Sequence, residues 1–353
     1  MRRLTQIQLP ATTICFCRYA SAYSSALGYC FAGTVKGGTM LTISRRDFLI
    51  AGTLLGAQAV GATGAQPFFR RTGLAVGLQL YTLGDDLKRD FDGTLAAVSK
   101  IGYRSVELAG LADHSAADWR QALDRSKLKC PSMHVPPHSK TGVNLDDLAA
   151  LAEVAHALGI GTVVCPMFNI PERFSLQPQP GEDTGKLLAR LGTSMTTDDW
   201  KWNADYLNKK AAALKPYGLR FAYHNHNVEL APVGSSTGLA QLIQETDPAS
   251  VTFEMDAGWV VAAGADPVAL LAAHPGRFSA MHVKDVKAST HPNFSLQQDP
   301  CEVGQGIIDW KTLLAKAYQA NVRQFYVEQE PPFSRSRLES VAISFSYLHS
   351  LVA

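Results

Sequence analysis

Along Arg220-Phe-Ala-Tyr-His-Asn-His-Asn-Val-Glu229 the residues alternate between two faces. Ala222, His224 and His226 share one, and Phe221 and Tyr223 take the other. The arrangement recurs in three later stretches. Thr252–Asp256 sets Glu254 and Asp256 against Phe253 and Met255, Ala280–Lys284 sets His282 and Lys284 against Met281 and Val283, and Tyr326–Glu330 sets Glu328 and Glu330 against Phe325 and Val327. A half-buried strand of a soluble sandwich has the same period, with its polar face in water. Here the polar members are imidazoles, carboxylates and a lysine, and they fall at the carboxyl ends of successive strands. That pattern predicts a convergent site.

The rest of the pattern supplies the frame. From residue 74 short apolar strands alternate with segments of helical period. The strands are Ala75–Tyr81, Ser105–Leu108, Cys130–Val135, Gly161–Cys165, Arg220–Glu229, Thr252–Asp256, Ala280–Lys284 and Gln324–Glu328. Helices are expected over Phe91–Ile101, around Trp119–Leu123, after a cap at Asn144, over Asp198–Tyr217 behind Thr196 or Thr197, near Gly238–Glu245, over Pro267–Ala273, Trp310–Ala320 and within Arg337–Leu351. Two long polar excursions, Phe168–Ser194 and Ala288–Gly306, follow strands four and seven. Eight strands alternating with eight helical segments predict an α/β fold, a single-domain (β/α)8 TIM barrel over residues 74–353. Chemistry in such a barrel sits at the carboxyl ends of its strands. Glu107 and His134 fall at that end, and the two excursions are lid candidates.

Ahead of the barrel the chain reads as an address. Ser44-Arg-Arg-Asp-Phe-Leu-Ile50 is a twin-arginine export motif, followed by an apolar run from Leu49 to Val60 and small residues around Ala57, Ala59 and Ala65. Residues 40–65 are therefore expected to be a twin-arginine (Tat) signal peptide that hands the protein to the export machinery, with a periplasmic mature chain. The run is too short and too rich in Gly and Ala for an anchor. Met40 is the more natural start, which makes residues 1–39 an expected extension ahead of it.

Setting aside about 65 residues leaves roughly 290, the size of one barrel. The formal charge is only +2, two positive charges belong to the export arginines, and no basic run is interleaved with aromatics, so nucleic acid is not an expected partner. Of six cysteines, Cys15, Cys17 and Cys30 precede the export motif. Cys130, Cys165 and Cys301 are widely spaced without CxxC, which argues against a disulfide framework.

His224, Asp256, His282 and Glu328 are four inward nitrogen and oxygen donors from consecutive strands, a set that can surround one divalent ion. Imidazole with carboxylate suits Mn, Co, Zn, Fe or Mg, and burying the carboxylates without a cation would be costly. Such an ion can acidify the carbon-bound proton between a sugar carbonyl and a neighbouring hydroxyl and stabilise the enediolate. A side-chain base removes the proton. Its return to the other carbon isomerises, its return to the opposite face epimerises, and loss of a β-substituent eliminates.

The sequence resembles the xylose isomerase-like barrel superfamily, in its sugar phosphate isomerase/epimerase branch. The resemblance rests on Gly77-Leu-Gln-Leu-Tyr81, Gly102-Tyr-Arg-Ser-Val-Glu-Leu-Ala109, Tyr223-His-Asn-His-Asn-Val-Glu229, Asp256-Ala-Gly-Trp259, His282-Val-Lys-Asp285, Gly304-Gln-Gly-Ile-Ile-Asp-Trp310 and Tyr326-Val-Glu-Gln-Glu330, in that order. It implies one divalent metal at the barrel mouth, commonly Mn, on His224, Asp256, His282 and Glu328. It also departs from the branch. A glutamate usually stands where this chain has His224, and Gly258-Trp259 follows Asp256 where many relatives carry a substrate-binding histidine. The two-carboxylate proton exchange of a ketose epimerase is thereby in question, and Glu328 needs a partner among Glu107, His134, Lys284 and Glu254. Lys284 is assigned to enolate oxygen and His134 and Glu107 to hydroxyl groups. Tyr81, Trp259, His226 and Glu254 complete the substrate-contacting set. The leading expectation is a sugar isomerase or epimerase on a free or keto-sugar, with a 3-keto-glycoside lyase or hydrolase next. A metal-free sugar-binding barrel and an endonuclease stand further off.

Overall fold

The computed structural model describes residues 5–9, 12–16, 65–139 and 142–353. The chain divides into two compact units, residues 1–65 and 66–353. In the first, Thr5–Leu9 and Thr12–Phe16 pair antiparallel. The export motif at 44–50 and the apolar run behind it lie outside the described residues. No helix among the described residues is long and apolar enough to cross a membrane.

The second unit is a closed barrel of eight parallel strands. They are β1 (Gly77–Gln79), β2 (Ser105–Leu108), β3 (Lys129–His134), β4 (Thr162–Cys165), β5 (Arg220–His224), β6 (Val251–Asp256), β7 (Phe278–Val283) and β8 (Gln324–Val327). Each pairs with its neighbours in sequence, and β8 closes on β1 through Tyr326 opposite Gly77. Alternation does the sorting. Leu78, Val106, Met133, Val163, Phe221, Phe253, Met281 and Phe325 are buried in the apolar core. The intervening residues turn into the lumen, where the Ser132 hydroxyl donates to the Tyr326 oxygen (2.8 Å) across the barrel.

Several helices begin on capping boxes legible in sequence: Ser115 with Asp118, Thr196 with Asp199 and Ser336 with Glu339. Four expectations need correction. Strand five stops at His224 rather than Glu229, and the chain turns into a 3-10 helix, Val228–Leu230. Strand one stops at Gln79 rather than Tyr81, because the Gln79 side chain accepts from Tyr81 N (3.0 Å) and turns the chain into a 3-10 helix, Leu80–Leu83. The helix Leu148–Leu158 is capped by Asp147; Asn144 instead accepts from Asp146 N in a turn (2.8 Å). The first excursion contains a helix, Thr184–Thr193, capped by Asp183. Its buried face is Ala189, Leu191 and Gly192, too small to stand out among the flanking Pro, Gly and Gln.

Both excursions are fastened to the barrel. Asn169 N donates to Asn203 Oδ1 and Arg173 pairs with Asp199. In the second, Asn293 accepts from Asn227 Nδ2 (2.9 Å), and Asp285 Oδ2 accepts from Gly304 N (2.9 Å) and Trp310 Nε1 (2.8 Å). Asp285 is therefore the loop's anchor. It makes no ion pair with Lys284, which turns the other way into the barrel.

Candidate active site

The register of β5, β6 and β7 builds the site in two tiers. His224 lies opposite Glu254, and Asp256, two residues further, lies opposite His282. The lower tier is a carboxylate–imidazole network. Glu254 Oε2 is 2.8 Å from His134 Nε2, 3.2 Å from His224 Nδ1 and 3.1 Å from His282 Nε2. Glu107 Oε2 lies 2.8 Å from His282 Nε2 and 3.1 Å from His134 Nε2, and accepts from Gln79 Nε2 (2.9 Å).

The upper tier gathers Asp256, His282 and Glu328. His282 Nδ1 is 3.0 Å from Glu328 Oε2 and 3.8 Å from Asp256 Oδ2, and His224 Nε2 stands 4.0 Å from the same Asp256 oxygen. Lys284 Nζ reaches Asp256 Oδ2 (2.8 Å), Glu328 Oε2 (2.7 Å) and Glu330 Oε1 (2.6 Å), and lies 4.9 Å from the Trp259 ring centroid. Its stem passes where residue 258 has no side chain: a Cβ on Gly258 would come within 2.7 Å of Lys284 Cγ. The bare backbone at Gly258 thus makes room for the buried Lys284 side chain.

Asp256 works at two ends. Its Oδ1 caps the short helix Ala257–Ala262 by accepting from Trp259 N (2.9 Å), which fixes the carboxylate and leaves Oδ2 facing His282 and Lys284. That Oδ2 is completely buried, and its partner there is the Lys284 ammonium at 2.8 Å.

Burial and charge separate the titrating groups. Burial pushes His134 down, but the Glu107 and Glu254 carboxylates outweigh it and hold its pKa at about 9. His282 is raised by Glu254 and Glu328 against the same burial. His224 and His226 go the other way, His224 through burial and His282, and His226 to about 3 through burial and Lys284. Burial raises Asp256 to about 6 although Lys284 opposes it, and Glu328 stays well below the carboxylate range because Lys284 and His282 outweigh its burial. Glu229, buried behind His226, is lifted to about 7 by burial; it accepts from the Tyr223 hydroxyl (2.7 Å) and from His226 N (3.0 Å), holding the turn that presents the His226 ring.

A cavity of about 300 Å³ opens above these tiers, lined by His134, His224, His226, Glu328, Glu330 and Tyr81 with Pro136, Pro166 and Met167. The barrel brings together His134, His224, Glu254, Asp256, His282, Lys284, Glu328 and Glu107. Trp259 (2% exposed) and Glu254 (0%) sit beneath the cavity lining, and Tyr81 (55%) stands at its rim. Phe168 packs on Trp200 with 5.4 Å between ring centroids. Sequence reasoning missed Glu330 as a partner of Lys284 and Glu229 as the support of His226. Glu330 was visible in the alternation; Glu229 falls within the stretch expected as strand five, but the strand ends at His224 and Glu229 sits on a 3-10 turn, where a period of two does not place a side chain.

Among the described residues two donor groups can hold a cation. In one, Asp256, His282 and Glu328 place a donor atom each within 4.8 Å of one another; in the other, His134, His224, Glu254 and His282 do so. The upper group fits a resident divalent ion: the buried Asp256 Oδ2 and Glu328 Oε2 share a single ammonium, that of Lys284, and the donors are hard oxygens with imidazole. The ring nitrogens agree, since His282 Nε2 and His224 Nδ1 are held from behind by Glu107 and Glu254 while Nδ1 and Nε2, respectively, point at Asp256.

Comparison with known proteins gives the same architecture. The chain is 24% identical to the inosose dehydratase of Geobacillus kaustophilus (strain HTA426) over 293 residues, 77% of this chain and 91% of that protein. Among solved structures, a sugar phosphate isomerase/epimerase from Parabacteroides distasonis ATCC 8503 superposes with a TM-score of 0.62 at 24% identity, covering 79% of this chain and 94% of that one. The IOLI protein, solved with a zinc atom bound, superposes with a TM-score of 0.54 at 16% identity over 78% of this chain and 98% of its own. The profile of the xylose isomerase-like TIM barrel family matches residues 95–344, and the chain belongs to that family.

Proposed function

We propose that this protein is a metal-dependent lyase that removes a proton next to the carbonyl of a keto-sugar or keto-cyclitol and expels a β-oxygen substituent, as water or an alcohol. The observation that carries the reading is the upper tier, where a fully buried Asp256 Oδ2, with only an ammonium it shares with Glu328 and Glu330, faces His282, His224 and Glu328 beneath a sugar-sized cavity. His224, Asp256, His282 and Glu328 would hold the ion. When bound, a divalent cation supplies Lewis acidity toward a carbonyl oxygen.

The protein's own groups divide the proton work. Glu328 lines the cavity as a carboxylate and takes the carbon-bound proton, and the electron pair left behind forms the enolate. His134 lines the same cavity as an imidazolium and gives its proton to the departing oxygen as the carbon–oxygen bond breaks. Two groups pushed to opposite protonation states are the usual mark of an acid and its base. His226, neutral and lining the cavity, meets a sugar hydroxyl, and Lys284 steadies the carboxylates and faces developing negative charge.

Elimination is favoured over isomerisation for two reasons. The protonated His134 offers a leaving oxygen its proton, and the curated relative with the long match is named a dehydratase. With His224 in place of a second glutamate, the carboxylate pair that a two-base epimerisation needs is not available from strand five. We read the motif at Ser44–Ile50 as an export address, which makes free or oxidised sugars outside the cytoplasm the substrates rather than phosphorylated ones.

The test has two parts. Protein purified without chelator is assayed for bound metal beside Glu328→Gln, and both are incubated with keto-sugars in deuterium oxide. Expected are about one divalent ion per chain, solvent deuterium at the carbon next to the carbonyl and release of the β-substituent, with both reactions reduced by on the order of 10²–10⁴-fold in Glu328→Gln. Absence of metal before and after reconstitution sinks the proposal. Deuterium uptake without release returns the reading to an isomerase or epimerase.

A further inference from the structure

A second cavity, of about 410 Å³, adjoins the first, and the two share Tyr81 and Ala109 on their walls. It lies over the carboxyl ends of β1, β2 and β8. Its lining is mainly apolar, with Leu80, Leu87, Trp119 and Pro331 beside Tyr81; Asp85, Lys88 and Arg337 lie at its margin. Arg337 is already committed, since its guanidinium donates to Asp85 Oδ2 (2.5 Å) and to Thr82 O (2.9 Å) and packs 4.5 Å from the Phe333 ring. The Trp119 indole N–H is likewise spent on Leu111 O (2.8 Å). What remains for a ligand is mainly apolar and aromatic surface, with the Lys88 side chain beside it.

The first cavity, by contrast, is rimmed by imidazoles and carboxylates and sits at the small end of the usual range for ligand sites. Tyr81 stands where the two meet, 55% exposed, on the one-turn 3-10 helix that Gln79 initiates. Gln79 in turn donates to Glu107, so the ring at the junction is tied through one side chain to the lower tier of the site.

We infer that the enzyme takes a sugar carrying an apolar, aromatic aglycone, with the sugar ring over the metal-ligand tier and the aglycone in the adjoining cavity against Tyr81. This rests on the lyase reading only in naming the aglycone as the group expelled. Where the aglycone leaves, the carbon–oxygen bond breaks with its electron pair on oxygen, the His134 proton follows it, and a phenol or alcohol is the product. An aromatic ring desolvated against Tyr81 and the apolar lining gains affinity from area and from the ring contact.

Gly84 allows a clean test. It lines the second cavity and is absent from the lining of the first. Its φ of −51° is helical, and a Cβ placed on it meets nothing within 4 Å. Gly84→Trp should fill the cavity without backbone strain. The measurement is the affinity of phenyl β-D-glucopyranoside against methyl β-D-glucopyranoside for the metal-loaded protein, by calorimetry. The expectation is a preference of about tenfold or more for the phenyl glycoside, abolished in Gly84→Trp while methyl glucoside binding is unchanged. Tyr81→Ala should cut the same preference and serves if the tryptophan variant does not fold. Equal affinities in the unaltered protein, a preference that survives both substitutions, or binding of neither glycoside overturns the inference. Deuterium uptake by an unsubstituted keto-sugar separates the two ideas. Uptake without an aryl preference defeats the aglycone cavity alone, and a preference without uptake defeats the chemistry alone.

Discussion

Glu254 and Asp256 stand two residues apart on β6, both are wholly buried, and both face the lumen, yet they meet opposite surroundings. Glu254 Oε2 has three imidazoles within 3.2 Å, and its pKa lies below the usual carboxylate range although burial and Glu107 push it up. Asp256 Oδ2 has one ammonium at 2.8 Å, shared with Glu328 and Glu330, and burial lifts its pKa to about 6. The lower tier is thus neutralised by the protein's own protons, whereas the upper tier has more negative charge than Lys284 alone offsets. A buried carboxylate short of positive charge either takes a proton or takes a cation. The difference assigns the two donor groups different work: the upper one to hold the ion, the lower one to orient its ligands.

Paired substitutions on this one strand break or sharpen the assignment most strongly. Asp256→Asn should lose metal affinity by roughly 10³-fold, the equivalent of about 4 kcal/mol, with the barrel still folded by circular dichroism. Glu254→Gln leaves the upper donors in place and loosens the imidazoles behind them, so its loss should be about 10–100-fold. Metal titration of the two variants is the measurement. The opposite ranking would move the ion to His134, His224, Glu254 and His282.

Lys284 gives a smaller effect of a different kind. Lys284→Met removes the ammonium from among Asp256, Glu328 and Glu330, and in metal-free protein this should cost about 3–5 kcal/mol. Added divalent metal should restore most of the loss by supplying the charge and by binding only the folded state. Thermal denaturation of both proteins, with chelator and with metal, reads this directly. An equal deficit with and without metal would mean that Lys284 holds the fold rather than standing beside a cation site.

Much of this was legible before any coordinates. The strand alternation predicts the barrel and points His224, Asp256, His282, Lys284 and Glu328 toward one centre, because a strand's period of two does not depend on its neighbours. Register does depend on them. No single strand reveals that His224 lies level with Glu254 rather than with Asp256, so the division into two tiers is a product of inter-strand pairing. The same limit hid the partners of Lys284: the alternation turns it inward, but Asp256, Glu328 and Glu330 come to it from other strands, and the room for its stem depends on the bare backbone at Gly258. Tyr81 was readable as a ring near the site, but its place between two cavities follows from the turn at Gln79, which a strand pattern runs straight through.

The lower tier's dependence on protons supplies the gentlest test. His134 has a folded pKa of about 9 against about 6.5 in an unfolded chain, set by burial working against Glu107 and Glu254. A raised value means that its ionic contribution is complete below the unfolded pKa and is lost as pH rises through about 9. Elimination should therefore show an alkaline limb near pH 9, falling about tenfold per pH unit beyond it as the acid is lost. Glu107→Gln should move the limb toward neutrality, since Glu107 heads the influences that raise the value. Deuterium uptake at the carbon next to the carbonyl needs only the base, so it should persist above that limb. Chelator at neutral pH should do the reverse to the protein, stripping the upper tier while leaving the His134 resonance of the lower tier charged. If uptake and elimination fall together along one pH curve in both proteins, His134 is not the separate acid, and the two tiers act as one titrating unit.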